Sequence, residues 1–491
     1  MNVLFAAVEM SPLAKVGGLG DVAGSLPRAL RINGDDVRVA MPMHGVIERT
    51  ALNLTHLLAG VKVPWPGGDE RVDVWQADVR GVPVYLLENA RYFGRANVYG
   101  SDDDKERFLF FCDALLACAP HLGFRPDVIH AQDWHSALLL TRLAADDAHV
   151  WADAGRVYTI HNLALQGDFD RAFAQTHGIA PIELIPPDGL PPTIAYSGMA
   201  QGIMQADRVN TVSDSYAKEI MTPEYGAGLD ALLRARADVV SGIVNGIDYD
   251  EFNPETDPAI PQHFNVDTLD LRLVNKRALQ QQAGLPAGGT AMLFATVTRL
   301  FAQKGIDLVA VAFDALLATR NVQLVVLGTG DDDVHKMLAQ LEAKYPGKVK
   351  IWFDFNPTLG QHIYAGCDVF LMPSRYEPCG LGQLISLRYG AVPLVRRTGG
   401  LADTVQDADL PQQSGTGFVF DAANAQELRQ AAERALTAFE KPTEWRALQE
   451  RGMRQDWSWS RAAGKYHELY AAAIADRREA READSAREAS A

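Results

Sequence analysis

Short β-branched runs separated by longer amphipathic stretches constrain this chain more than any other feature. In the first half the runs are Asn2–Glu9, Asp36–Pro42, Val82–Glu88, Asp127–Gln132, Arg156–Asn162 and Arg208–Ser213. In the second they are Ala291–Arg299, Val322–Gly330, Val349–Phe355, Asp368–Ser374, Val392–Thr398 and Gly417–Asp421. Such alternation predicts α/β architecture with parallel sheets. At 491 residues the chain exceeds one ordinary core. Two comparable sets therefore imply two doubly wound domains and not one barrel. The stretch "SGIVNGIDYDEFNPETDP", Ser241 to Pro258, is dense in Gly, Asn, Asp and Pro and reads as the junction. We place the domains at 1–243 and 244–456.

Charge and cysteine usage exclude several function classes. The net charge, 46 − 62 = −16, repels a phosphate-rich polymer, so no nucleic-acid partner is expected. No segment approaches the roughly 20 apolar residues that span a bilayer. The first residues, with Glu9 closing a short apolar run, read as a β-strand and not as a signal peptide. Cys112, Cys118, Cys367 and Cys379 show no CxxC spacing and no nearby His pair, which suits reduced thiols in a cytoplasm and no zinc site.

In open α/β sheets, ligands bind beyond the carboxyl ends of strands. After the first strand, "KVGGLGDV" offers Lys15, the Gly17–Gly18 turn and Asp21 ahead of a helix. Gly18 to Ala23 also fits the dinucleotide pattern GxGxxA, but it starts too far past its strand. The acid expected after the second strand is missing as well. "HAQDWH" places Asp133, Trp134 and His135 after another strand. They read equally as a helix cap with a core tryptophan, or as a sugar site. His161 and Asn162 follow the next strand directly. In the second half, Arg299 and Lys304 suit phosphate, or else form a solvated basic pair. Gly328 opens a glycine turn, and "MPSRYEPCGLGQLISLRYG" sets Glu377 between a strand and a helix start that suits phosphate. An acid there is repelled by phosphate unless it serves another part of the ligand. The set fits a nucleoside diphosphate joined to something neutral and hydroxylated, with Glu377 accepting from hydroxyls or balancing positive charge at a carbon.

"KVGGLGDV", "HNLA", "YGAGLDALL", "VNGIDYDEFNP", "QKGIDL", "PSRYEPCGLGQL" and "VRRTGGLADTV" resemble, in this order, the bacterial glycogen synthases and plant starch synthases. The resemblance runs from Met1 to about Tyr470. It implies the GT-B fold, two Rossmann-like domains facing a cleft. It further implies a helix at 457–475 crossing back to the N-terminal domain, and we expect a frayed or disordered tail at 476–491. The implied activity is retaining transfer of glucose from ADP-glucose to the non-reducing end of an α-1,4-glucan, with no metal or other cofactor. The implied catalytic set is Glu377, His161, Arg299 and Lys304. Donor contacts would come from Lys15, Gly17, Gly18, Asp21, Asn245, Gly328, Cys379, Gly380, Leu381 and Phe355. Acceptor contacts would come from Asp133, Trp134, His135 and Asn162. The chain departs from the family pattern at Gln132, Leu165, Ala200, Gly382 and "WFDFNP", positions that bear on donor preference and acceptor grip. The alternatives are a UDP-glucose-dependent or glucan-binding paralogue and, on the glycine pattern, a dinucleotide oxidoreductase.

Overall fold

The computed structural model describes residues 1–179, 190, 192–409 and 411–488. It divides into two units, Met1–Gly246 with the segment from Trp459 onward, and Ile247–Ser458.

The first unit holds a sheet of β1 (Asn2–Ala6), β2 (Asp36–Pro42), β3 (Thr55–Val63), β4 (Glu70–Val79), β5 (Val82–Glu88), β6 (Val128–Gln132), β7 (Gly155–Ile160), β8 (Arg208–Thr211) and β9 (Val240–Gly242). The spatial order is β3-β4-β5-β2-β1-β6-β7-β8-β9. All six strands expected from the sequence are present. They pair in parallel and are mostly buried on both faces, which is why they read as continuous apolar runs. The expectation of purely parallel sheets needs correction: β3 and β4 pair antiparallel, as do β4 and β5. This extension was missed because it is partly exposed. β4 alternates in burial, and β3 carries register shifts around Leu58 that break its pattern.

The second unit is wholly parallel: β10 (Met292–Val297), β11 (Val322–Leu327), β12 (Val349–Trp352), β13 (Val369–Met372), β14 (Val392–Arg396) and β15 (Phe418–Phe420). The order β12-β11-β10-β13-β14-β15 is the doubly wound Rossmann order. Side chains alternate across the sheet, so each strand feeds two cores. Phe294, Val326 and Leu371 pack with the helices Ile306–Thr319 and Ala425–Phe439. Leu293, Val325 and Phe370 pack with Pro357–Gly366 and Gly382–Arg388.

The helix Trp459–Glu488 lies against the first sheet. Tyr470 Oη meets His130 Nδ1 at 2.9 Å, Asn210 donates to Tyr466 Oη at 3.1 Å, and Gly155 is bare because a side chain there would strike the Ala473 backbone. Of the tail expected to be frayed or disordered, 476–491, residues 476–488 continue the helix with charged pairs along it, and 489–491 lie outside the described residues. Arg208 pairs with Asp476, and Arg481 pairs with Asp147 and Asp153. No helix among the described residues is long and apolar enough to cross a membrane.

In the second unit, Lys276 Nζ reaches Asp368 Oδ2 at 2.5 Å with both side chains nearly inaccessible, and the same oxygen accepts from Leu293 N at 2.7 Å. Lys276→Met leaves a buried carboxylate without its cation and should cost about 3–5 kcal/mol. Calorimetry should show a lowered melting transition, with Lys276→Met/Asp368→Leu recovering much of the loss.

Candidate active site

The two sheets change direction between β1 and β6 and between β10 and β13. Crevices at such switch points bind ligands, and most of the expected residues lie there.

In the second unit the chain leaves β10 through Thr298, Arg299 and Lys304, and leaves β13 through Ser374 and Glu377. Lys304 Nζ donates to Glu377 Oε2 at 2.6 Å, and Ser374 Oγ donates to the same oxygen at 3.0 Å. Both members of the pair are largely buried. Arg375 braces the two loops with a bidentate bond to Asp307 and a 2.6 Å bond to the Ala302 carbonyl. Glycines allow close approach of backbone on either side. A side chain at Gly305 would strike the Pro373 carbonyl, and side chains at Gly399 and Gly400 would strike the carbonyls of Glu377 and Cys379. Gly400 N donates to the Glu377 carbonyl at 3.1 Å. A cavity of about 130 Å³ opens beside the pair, lined by Thr298, Lys304, Ser374, Glu377, Gly380 and Leu381 among others.

The remaining residues of this unit are placed differently. Cys379 is buried beneath the loop. Gly328 ends β11 so close to the Thr298 carbonyl that no side chain fits. Arg299 is exposed, its guanidinium 5.5 Å from the Phe301 ring. Phe355 is 81% exposed and outside the lining of the cavity, whereas Phe353 packs at a tilt on His335, ring centroids 4.4 Å apart. At Gly382 the Phe370 ring occupies the space a side chain would take.

In the first unit, Glu9, which no sequence motif marks, organises the carboxyl end of β1. It is 3% exposed. Its Oε2 accepts from Val16 N and Gly17 N at 2.5 and 2.8 Å, and Tyr99 Oη donates to its Oε1 at 2.5 Å. The Gly17 amide, on the turn expected to contact the donor, is therefore taken by a carboxylate. Its place at a strand end was the signal for Glu9. Lys15 and Asp21 meet each other at 2.6 Å on the rim beside Gly18.

After β6, Asp133 begins the helix Asp133–Ala144 at φ +52° but does not cap it. Its Oδ1 instead accepts from His161 N at 2.7 Å and Asn162 N at 3.4 Å. Burial pushes this carboxyl up to about 7. His161 Nε2 donates to Gln132 Oε1 at 2.7 Å, fixing the tautomer with its proton on Nε2. Burial holds His161 down at about 3, so the ring is neutral. Gln132 is fully buried, and its Nε2 has no hydrogen-bond partner among the described residues. Trp134 packs edge-on to Phe108 and beneath Gly167, where any side chain would enter the indole. His135 stacks on Tyr99 at 4.9 Å and is buried. Both therefore have packing roles here. The Asn162 side chain accepts from Ala164 N at 3.1 Å. Asn245 is buried, with Oδ1 unpartnered among the described residues.

The model of the starch synthase catalytic domain matches residues 2–235, and that of group 1 glycosyl transferases matches residues 279–449. A glycogen synthase of Moorella thermoacetica is 44% identical over 486 residues, covering 98% of this chain and 98% of that protein. One from Geobacillus stearothermophilus is 42% identical over 479 residues, covering 96% and 97%. Among solved structures, the catalytic domain of starch synthase IV from Arabidopsis thaliana bound to ADP and acarbose superposes with a TM-score of 0.88 at 34% identity, covering 96% of this chain and 99% of that one. The fold is GT-B, and the chain belongs to the family of glycogen and starch synthases.

Proposed function

We propose that this chain transfers glucose from ADP-glucose to the non-reducing end of an α-1,4-glucan with retention of configuration. The observation that carries this reading is the Lys304–Glu377 pair beside a small cavity at the switch point of the second sheet. The family relationship supports the donor and acceptor classes: the relatives are glycogen synthases, and the starch synthase neighbour was solved with ADP and acarbose.

The lysine answers the question raised by an acid at a phosphate-binding turn. Its ammonium has three donors; one reaches Glu377, and the others can reach a diphosphate. The cation so shared offsets repulsion between carboxylate and phosphate. As the bond between the anomeric carbon and the diphosphate breaks, negative charge grows on the phosphate and positive charge on the sugar. Lys304 stabilises the first and Glu377 the second. Arg299, exposed and without an ion-pair partner among the described residues, is a second cation for the leaving diphosphate. Retention requires the acceptor oxygen to end on the face the diphosphate leaves. In the first unit, neutral His161 presents Nδ1 as an acceptor for a sugar hydroxyl, held there by Gln132 and Asp133.

Glucose incorporation into glycogen tests the reading directly: transfer from ADP-glucose should exceed that from UDP-glucose, and transfer from neither would refute it. Glu377→Gln should lower kcat by about 100-fold or more in enzyme whose fold is checked by circular dichroism, and Lys304→Ala should do so by a similar factor. Near-normal turnover in either removes that residue from the mechanism. Gln132→Glu sets a carboxylate against His161 Nε2 and raises the imidazole pKa, so a cationic form appears as pH falls. The variant's kcat/KM should fall on the acid side where the parent's stays level; superimposable profiles would rule out control of His161 by residue 132.

A further inference from the structure

At the amino ends of β7, β8 and β9, a cavity of about 450 Å³ is lined by Arg156, Arg208, Arg236 and Arg477 together with Asp207, Asp238 and Asp476. Among the described residues, one of these arginines is matched to a carboxylate by hydrogen bonds: Arg208 holds Asp476 through two, at 2.5 and 2.9 Å. Asp207 spends its Oδ2 on the backbone N–H of Arg156. The other three guanidinium groups bond to carbonyls. Arg156 reaches Leu143 O at 3.0 Å, Arg236 reaches Ala206 O at 2.6 Å, and Arg477 reaches Ala152 O at 3.2 Å. A carbonyl satisfies an N–H without neutralising its charge. Arg156 is only 3% exposed, and its Nε, like that of Arg236, is buried without a hydrogen-bond partner among the described residues. Burial together with repulsion from Arg477 pulls Arg156 down to about 10.

Four guanidinium groups face the three carboxylates Asp207, Asp238 and Asp476, so the pocket keeps one net positive charge together with spare N–H donors for an anion. The cavity cannot be a subsite for the sugar chemistry. Arg156 and His161 mark opposite ends of β7, five residues apart and so separated by roughly 16 Å at about 3.3 Å per residue. We propose that this cavity is a second site, binding a small phosphorylated anion through Arg156, Arg236 and Arg477. Two of these arginines come from the body of the first unit and Arg477 from the helix Trp459–Glu488, so the bound anion fastens that helix to the sheet.

The test uses the whole chain with inorganic phosphate and pyrophosphate as probes, against chloride at equal ionic strength. Phosphate should raise the melting temperature above the chloride control. The rise should persist in Lys304→Ala, whose phosphate contact lies in the other unit. It should disappear in Arg236→Met/Arg477→Met, whose turnover without added phosphate should match the parent's. Should the double variant fail to fold, Arg477→Met alone decides by calorimetric titration, with an expected loss of affinity of about tenfold. An equal rise in parent and arginine variants, a rise lost in Lys304→Ala, or no advantage of phosphate over chloride would each overturn the proposal.

Discussion

A lysine ammonium 2.6 Å from a carboxylate, both nearly out of reach of water, survives only if the surrounding chain leaves neither group elsewhere to go. Much of the second unit's irregular structure is arranged to that end. The turn carrying Lys304 and the loop carrying Glu377 come from strands adjacent in space but far apart in sequence. Arg375 and Asp307 clamp them from outside, while Gly399 and Gly400 press from the next strand end. Glycine is required at these contacts because backbone meets backbone without room for a β-carbon. The charge pair is thus fixed by tertiary structure before any ligand arrives, which is the preorganisation an electrostatic site needs.

The strands that build both switch points were legible because buried parallel strands must be apolar along their whole length. The hairpin of β3 and β4 was not, since an edge with one wet face needs no such run. Chemistry at strand ends was legible where a residue's type was unusual for its place, as with Glu377, Lys304 and His161. Glu9 stands in an equally telling position but follows an apolar strand without a motif around it. Its partners Gly17 and Tyr99 are 8 and 90 residues away. Pairings across such separations are set by the fold, so sequence reading could name Lys15 and Asp21 individually but not foresee that they meet. Trp134 and His135 show that residue types suited to a sugar also pack, here around Gly167 and Tyr99.

The first sheet separates its tasks by direction. Polar groups at its carboxyl ends, from Glu9 to His161, are linked by hydrogen bonds that set protonation and orientation. Those at its amino ends, around Arg156, include buried guanidinium N–H groups without a hydrogen-bond partner among the described residues. Asp133 joins the first group by accepting from the backbone of the neighbouring strand end instead of from its own helix. A shift of β7 along its axis would therefore disturb both ends together.

The connectivity of the units has a consequence for synthesis. The chain leaves the first unit after Gly246 and re-enters it at Trp459, and Ile247 N bonds to Trp457 O at 2.8 Å, so departure and return run side by side. The second unit is in effect a long insertion with its ends tied together. As the polypeptide emerges from the ribosome, that insertion has all its strands and helices before the first unit has its last helix. Until Tyr466 and Tyr470 arrive, His130 and Asn210 lack partners they hold in the finished sheet. The unit begun first is the one completed last, and a nascent chain arrested near Ser458 would expose a fully translated second unit beside an unfinished first.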